Sequence, residues 1–153
     1  MLFHFESGLI LIVFRSSGSK LKRFLMNAPL ILIVDDEEQV GILASIFLTR
    51  AGFRTLRASS ARSALGLFTD EIDILLTDWA MPDMTGGELA AQLLERKPTL
   101  HVLFMSGNAE LPMQPGSTLE AGINFIQKPF VSEELNALVR QALIQGREPV
   151  PAS

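Results

Sequence analysis

The sequence contains no cysteine, which excludes disulfide bonds, thiolate metal sites and a cysteine nucleophile. It also has no excess of basic residues, since 13 Lys and Arg face 17 Asp and Glu, for a net charge of −4. A mildly acidic chain repels the phosphate backbone, so nucleic acid is not expected as a direct partner. A chain without cysteine is compatible with a reducing compartment, and we expect a cytoplasmic protein.

The N-terminal region lacks an apolar run long enough to cross a bilayer. Residues 8–14 (GLILIVF) give seven residues, whereas a spanning helix needs about 20. Glu6 precedes this run and basic residues follow it, which is the reverse of a signal peptide. We predict that residues 1–27 are a leader that is either disordered or mis-started, with Met26 as the true first residue in the second case. An export signal or a weak membrane-surface anchor is the alternative.

The rest of the chain, long enough for one domain, alternates short apolar segments with longer amphipathic ones. The short segments are apolar on both faces, as in a parallel sheet covered by helices on both sides. We predict strands at 30–34, 53–58, 72–77, 101–105 and 123–126. Five such units predict an α/β fold with a doubly wound five-stranded parallel sheet over 28–145, followed by a disordered tail at 146–153.

The helices between these strands are predicted from their apolar stripes. Leu43 on the first helix and Leu94 on the third are expected to face the core. The segment after the fourth strand differs, because Pro112 and Pro115 would each cost about 3 kcal/mol in a helix interior. We therefore predict an irregular fourth helix that is shortened, displaced or disordered.

Five polar residues follow the carboxyl ends of the predicted strands. They are Asp35 and Asp36 after the first, Asp78 after the third, Ser106 after the fourth and Lys128 after the fifth. Ligands of doubly wound sheets bind at this edge. Mg²⁺ relieves the repulsion between clustered carboxylates, while a lysine and a hydroxyl can bind phosphoryl oxygens. The set predicts phosphoryl transfer, with Asp78 as the oxygen nucleophile.

Each of these residues also has a purely structural interpretation. Asp36 and Gln39 fit a capping box at the start of a helix. Asp78 and Ser106 fit ordinary turn residues, and Lys128 fits a surface lysine. The joint placement of all five at strand ends favours the functional interpretation.

Four segments resemble the response-regulator receiver family. They are residues 31–37 (ILIVDDE), 75–89 (LLTDWAMPDMTGGEL), 103–107 (LFMSG) and 125–130 (FIQKPF). The resemblance covers about residues 28–145. It implies a flavodoxin-like sheet with the strand order 2-1-3-4-5.

The resemblance implies that Asp78 is the phosphorylated residue. Asp35 and Asp36 would hold Mg²⁺, with Asp78 as a third ligand and the backbone carbonyl of Ala80 completing the protein's share. Lys128 would pair with the phosphoryl oxygens.

The resemblance also implies a switch. Ser106 would be the hydroxyl that moves to bond the phosphoryl group, and Phe125 the aromatic residue that turns inward behind it. Phe125 stands where tyrosine is also frequent in the family, so no hydroxyl is available there. Lys128-Pro129 resembles the family's cis peptide.

The implied function is that of a phosphoacceptor in a two-component phosphorelay and not of a turnover enzyme. A sensor histidine kinase or phosphotransfer protein would donate the phosphoryl group, and a downstream protein would be the target. A homodimer is compatible with this function. We expect a stand-alone domain, with the receiver of a hybrid histidine kinase as the alternative. A haloacid-dehalogenase-like phosphatase would need an acid at the position of Ala80. A phosphorylation-independent scaffold would need neither Ser106 nor Lys128.

Overall fold

The computed structural model describes residues 2–4, 10–12 and 27–145. A short antiparallel ribbon pairs β1 (Leu2–His4) with β2 (Ile10–Ile12). Otherwise the predicted leader and the predicted tail at 146–153 fall outside the described residues, and their disorder stays a prediction. No helix among the described residues combines the length and apolar character that a bilayer-spanning segment needs.

Residues 30–145 form five strands and four α-helices, with an α-helix after every strand except the fourth. In chain order these are β3 (Leu30–Val34), α1 (Glu38–Arg50), β4 (Arg54–Ala58), α2 (Ala61–Leu67), β5 (Ile74–Asp78), α3 (Gly86–Arg96), β6 (His101–Ser106), β7 (Phe125–Gln127) and α4 (Ser132–Gln145). All neighbouring strands are parallel, in the order β4-β3-β5-β6-β7. Counted within this sheet the order is 2-1-3-4-5, so the predicted doubly wound α/β fold is confirmed.

The central strands β3 and β5 are buried along their whole length. Leu32 and Val34 of β3 pack in one cluster with residues of α2 and α3, whereas Ile31 and Ile33 pack in a second cluster with residues of α1 and α4. Burying each such side chain stabilises the fold by roughly 1.5–3 kcal/mol. This two-sided burial explains why the strands read as continuous apolar runs.

Two of the helices start with side-chain caps, and α1 does not. Ser60 accepts a hydrogen bond from Ser63 N at the start of α2, and Thr85 with Glu88 forms a capping box at the start of α3. Helix α1 begins after Glu37 without a side-chain cap. The capping box considered for Asp36 and Gln39 is therefore not formed.

The predicted irregular fourth helix is confirmed. After β6 the chain makes only a short 3₁₀ turn, Leu111–Met113, with Pro112 in its first positions, and then continues through turns to β7. The ring of proline removes a backbone donor and clashes with the preceding turn, so an α-helix cannot continue here. The Lys128-Pro129 peptide is cis.

Some details of the sequence prediction were wrong. Asp78 and Ser106 are the last residues of β5 and β6 and do not follow them. Leu43 and Leu94, expected to face the core, are 43% and 36% exposed. The core stripes of α1 and α3 are therefore narrower than the apolar pattern indicates.

Candidate functional site

The polar residues predicted from strand ends do meet at the carboxyl edge of the sheet. Asp35 follows β3, Asp78 ends β5, Ser106 ends β6 and Lys128 follows β7. These four strands are consecutive neighbours in the sheet. Asp35, Asp78 and Ser106 are buried, at 3%, 6% and 6% exposure. The carboxyl edge thus carries a cluster of buried polar side chains, whereas the buried side chains elsewhere in the described fold are apolar.

Lys128 is the cation at the centre of this cluster. Its Nζ lies 2.7 Å from Asp35 Oδ2, 3.3 Å from Asp78 Oδ1 and 3.3 Å from Glu37 Oε1. Its backbone N–H donates to the carbonyl oxygen of Ser106 at 2.8 Å, which fixes the start of its side chain. One ammonium therefore compensates three carboxylates, two that follow β3 and one that ends β5.

The charged form of Asp78 is disfavoured in this environment. The pKa of the Asp78 carboxyl is raised from an ordinary 3.8 to about 6. Burial is the main cause and the charge of Asp35 adds to it, while Lys128 acts in the opposite direction. A buried carboxyl poised near neutral pH, next to a second acid, is typical of a functional site.

The pKa values of Asp35 and Lys128 are also shifted by burial and by neighbouring charges. Burial raises the pKa of Asp35, although Lys128 and the N–H of Glu37 stabilise its charged form. That N–H donates to Asp35 Oδ1 at 2.8 Å. Burial alone would lower the pKa of Lys128, but the attraction of Asp35 and Asp78 outweighs it and raises the pKa. Lys128 is therefore held as a cation.

Glu37 is the member of the cluster that the sequence reasoning missed. Its side chain is 65% exposed, yet one carboxylate oxygen reaches Lys128 and lies with those of Asp35 and Asp78. The signal was present, because Glu37 continues the acidic run that follows β3. Asp36 is exposed, and its carboxylate contributes to the raised pKa of Asp78.

The donor set fits a hard divalent cation. Carboxylate oxygens of Asp35, Glu37 and Asp78 lie within 4.8 Å of one another. Asp35 Oδ2 is buried, and its charged neighbour among the described residues is Lys128 Nζ at 2.7 Å. Three clustered carboxylates share one ammonium, so they keep a net negative charge that a further cation would offset. Oxygen ligands of this kind are those that Mg²⁺ prefers.

Ser106 and Phe125 sit at opposite ends of the last strand pair. The hydroxyl of Ser106 accepts a hydrogen bond from Asn108 N at 3.1 Å, so it caps the loop that follows β6. Phe125 opens β7, pairs in register with Phe104 and is 3% exposed, so its ring is already directed into the core.

The loop that leaves Asp78 is held tightly against the sheet. Trp79 N donates to Met105 O at 2.9 Å, and Gly86 N donates to Trp79 O at 2.7 Å. A Cβ atom on Gly86 would lie 2.3 Å from the carbonyl oxygen of Asp78, so only glycine allows this approach. Trp79 packs edge-on against Phe104 with ring centroids 5.2 Å apart. Between these anchors Ala80 is exposed.

A polar cavity of about 430 Å³ opens beside the carboxylates. Asp35 and Asp36 form one side of it, and Arg57, Ser59 and Ser63 line the other. The cavity therefore borders the Asp35 side of the acidic cluster, and Asp78 and Lys128 are not among its lining residues.

A doubly wound parallel sheet with an acidic cluster and a lysine at its carboxyl edge defines a receiver-type α/β domain. A model of the response regulator receiver domain matches residues 31–140, and the chain belongs to this family. Among solved structures, the CheY-like receiver domain protein of Methanospirillum hungatei JF-1 has the same fold, with a TM-score of 0.66 at 24% identity over 78% of this chain and 97% of that one. The receiver domain of the hybrid histidine kinase CckA gives a TM-score of 0.61 at 29% identity, over 74% of this chain and 98% of that one.

The curated relatives are longer proteins. The uncharacterized transcriptional regulatory protein YrkP of Bacillus subtilis (strain 168) is 35% identical over 71% of this chain, and this chain spans 47% of its length. The sensor kinase CckA of Brucella abortus (strain 2308) is 30% identical over 78% of this chain, which spans 13% of that protein. The receiver unit is thus the shared part.

Proposed function

We propose that this chain is the phosphoacceptor of a two-component phosphorelay and that Asp78 takes the phosphoryl group. The observation that carries the proposal is the contact of one ammonium, Lys128 Nζ, with both Asp35 and Asp78 at 2.7 and 3.3 Å. An ammonium held beside the acceptor carboxylate is placed to pair with the oxygens of a phosphoryl group bound there.

In the proposed reaction an ionised oxygen of Asp78 attacks the phosphorus atom of a phosphohistidine. The new O–P bond forms as the P–N bond breaks, and the leaving imidazole takes up a proton. Asp78 must be ionised to attack, and its raised pKa of about 6 leaves it mostly ionised at pH 7 and above. Lys128 stays protonated and neutralises charge on the incoming phosphoryl oxygens.

The proposed Mg²⁺ ligands are the carboxylates of Asp35, Asp36 and Asp78 and the backbone carbonyl of Ala80. Glu37 is a further candidate, since its carboxylate belongs to the same cluster. Bound Mg²⁺ would supply positive charge that favours ionised Asp78 and neutralises the phosphoryl oxygens. The chain's own contribution is to hold these oxygens together against their mutual repulsion, which Lys128 partly offsets.

The proposed switch begins at Ser106. Its hydroxyl would give up the hydrogen bond from Asn108 N and bond to the phosphoryl group, and the Phe125 ring would keep its inward position behind it. A cavity of about 570 Å³ lies beside Phe125, between β7 and α4. This cavity and the irregular segment before β7 support a protein-binding face at this edge of the domain.

The proposed partners follow from this chemistry and from the family. A sensor histidine kinase or phosphotransfer protein would donate the phosphoryl group, and a protein target would read the phosphorylated state, within a cytoplasmic pathway. The sensor kinase CckA among the relatives supports the hybrid-kinase context, and the transcriptional regulators support a receiver unit within a longer protein. In the proposal the chain turns over no substrate beyond slow loss of its own phosphoryl group.

The test is phosphorylation by a small donor. The protein is incubated with acetyl phosphate and Mg²⁺, and the intact mass is compared for wild type, Asp78→Asn and Asp70→Asn, a variant of an exposed surface acid. We expect one added phosphoryl group in wild type and Asp70→Asn and none in Asp78→Asn. No gain in wild type would favour a phosphorylation-independent scaffold. Steady phosphate release from small monoesters, lost in Asp78→Ala, would favour the phosphatase alternative.

A further inference from the structure

Asp83 connects the loop after Asp78 to a different helix. The loop runs from β5 to α3, and the carboxylate of Asp83 reaches the N-terminus of α2. It accepts a hydrogen bond from Arg62 N at 2.9 Å and one from Ala61 N at 3.5 Å. These backbone donors lower the pKa of Asp83, so the carboxylate is ionised and can hold both contacts.

The remaining anchors of this loop are backbone hydrogen bonds, a helix cap and the side chains of Met81 and Met84, which pack against the apolar core. Trp79 is fixed to β6 and to Gly86 by backbone hydrogen bonds, and the side chain of Met81 is buried at 9% exposure. Thr85 belongs to the capping box of α3. Asp83 therefore supplies the tie to α2 in the middle of the loop, two residues beyond Met81 and three beyond Ala80.

We propose that Asp83 is a positioning residue that holds the loop in the conformation in which the Ala80 carbonyl can bind Mg²⁺. The inference rests on the proposed function, because it assumes that Ala80 is a ligand. The physical reason is that Ala80 is exposed and its carbonyl position depends on neighbouring anchors. When Asp83 is removed, the loop samples other conformations and only a fraction of molecules is ready to bind.

The chain offers a matched control in Ser60. The Ser60 hydroxyl accepts from Ser63 N at 3.0 Å and so caps the same helix, but it has no contact with the loop in the described hydrogen bonds. Asp83→Ala and Ser60→Ala therefore both remove one acceptor from the start of α2. Only the first also releases the loop.

The experiment is a Mg²⁺ titration of wild type, Asp83→Ala, Asp83→Asn and Ser60→Ala. Trp79, the single tryptophan of the chain, stands next to Asp78 and reports binding by fluorescence. Loss of an anchor worth one cap hydrogen bond lowers the ratio of competent to incompetent loop conformations about fivefold, so we expect Asp83→Ala to bind Mg²⁺ more weakly by up to about fivefold. Ser60→Ala should change the Kd by less than about twofold while losing similar stability in urea. Asp83→Asn keeps an acceptor oxygen and should retain most of the affinity.

The outcomes distinguish failure of the proposed function from failure of the positioning role of Asp83. If wild type shows no Mg²⁺ response, the proposed function fails. If wild type binds and Asp83→Ala binds equally well, the positioning role is refuted. An equal loss in Asp83→Asn and Asp83→Ala would assign the effect to charge, and an equal loss in Ser60→Ala would assign it to α2 as a whole. Either result overturns the inference.

Discussion

Replacing Asp78 with asparagine should stabilise the metal-free protein. The pKa of Asp78 is about 6 in the folded protein against an ordinary 3.8. Each pKa unit corresponds to about 1.4 kcal/mol, so ionised Asp78 opposes folding by at most about 3 kcal/mol above neutral pH. Asparagine removes this charge and keeps nearly the same shape. We therefore expect Asp78→Asn to raise the free energy of unfolding by up to that amount.

The dependence of this gain on pH has a defined sign. A carboxyl whose folded pKa is raised binds its proton more tightly when folded, so wild type gains stability as the pH falls through about 6 towards 3.8. At pH 5 about 1.4 kcal/mol of the penalty is already relieved. The difference between Asp78→Asn and wild type should accordingly fall from about 3 to about 1.6 kcal/mol between pH 7.5 and pH 5.

Urea unfolding in EDTA at these two pH values measures the effect. Asp70→Asn removes a charge of the same sign at an exposed position and should change stability by less than about 0.5 kcal/mol. Added Mg²⁺ should stabilise wild type more than Asp78→Asn, since the carboxylate penalty is then offset by the cation. The reasoning is refuted if Asp78→Asn is no more stable than wild type in EDTA at pH 7.5, or if the difference does not shrink at pH 5.

Three further predictions concern residues around the site. Lys128→Met leaves the charges of Asp35 and Asp78 uncompensated. It should lower the free energy of unfolding by about 3 kcal/mol at pH 7.5 and by clearly less at pH 5. An equal loss of stability at both pH values in urea unfolding would contradict this. Gly86→Ala places a Cβ 2.3 Å from the Asp78 carbonyl oxygen and should lower the melting temperature by the equivalent of about 1–3 kcal/mol. Gly66→Ala, at an exposed helical site where the added Cβ meets nothing within 4 Å beyond its chain neighbours and its own helix backbone, should instead raise it. Thr85→Ala removes the α3 capping box and should cost about 1 kcal/mol, seen as a lower urea midpoint.

The sequence predicts the strands and the meeting of the polar groups because both follow from periodicity and topology. A parallel doubly wound sheet brings all carboxyl ends to one edge, so Asp35, Asp78, Ser106 and Lys128 can be placed without coordinates. The irregular fourth helix is predictable for a similar reason, because Pro112 carries its own steric cost.

What could not be predicted depends on loop geometry and on neighbouring elements. Glu37 joins the cluster because the turn into α1 directs its long side chain towards Lys128, which the acidic run alone does not specify. Asp83 bonds to α2 across one intervening strand, β5. The exposure of Leu43 and Leu94 depends on how far the adjacent helices extend over them, which apolar periodicity does not report.

The length of β7 has a consequence for how the site is maintained. This edge strand has three residues and pairs with β6 through three register partners. Lys128 follows it directly and reaches across β6 and β5 to Asp35 beside β3. The ion pair therefore links the edge strand to the centre of the sheet, and we expect fraying of β7 to weaken the contact of Lys128 with the acidic cluster. A partner that displaced this edge strand would therefore leave the carboxylates without their compensating cation, although it touched none of them.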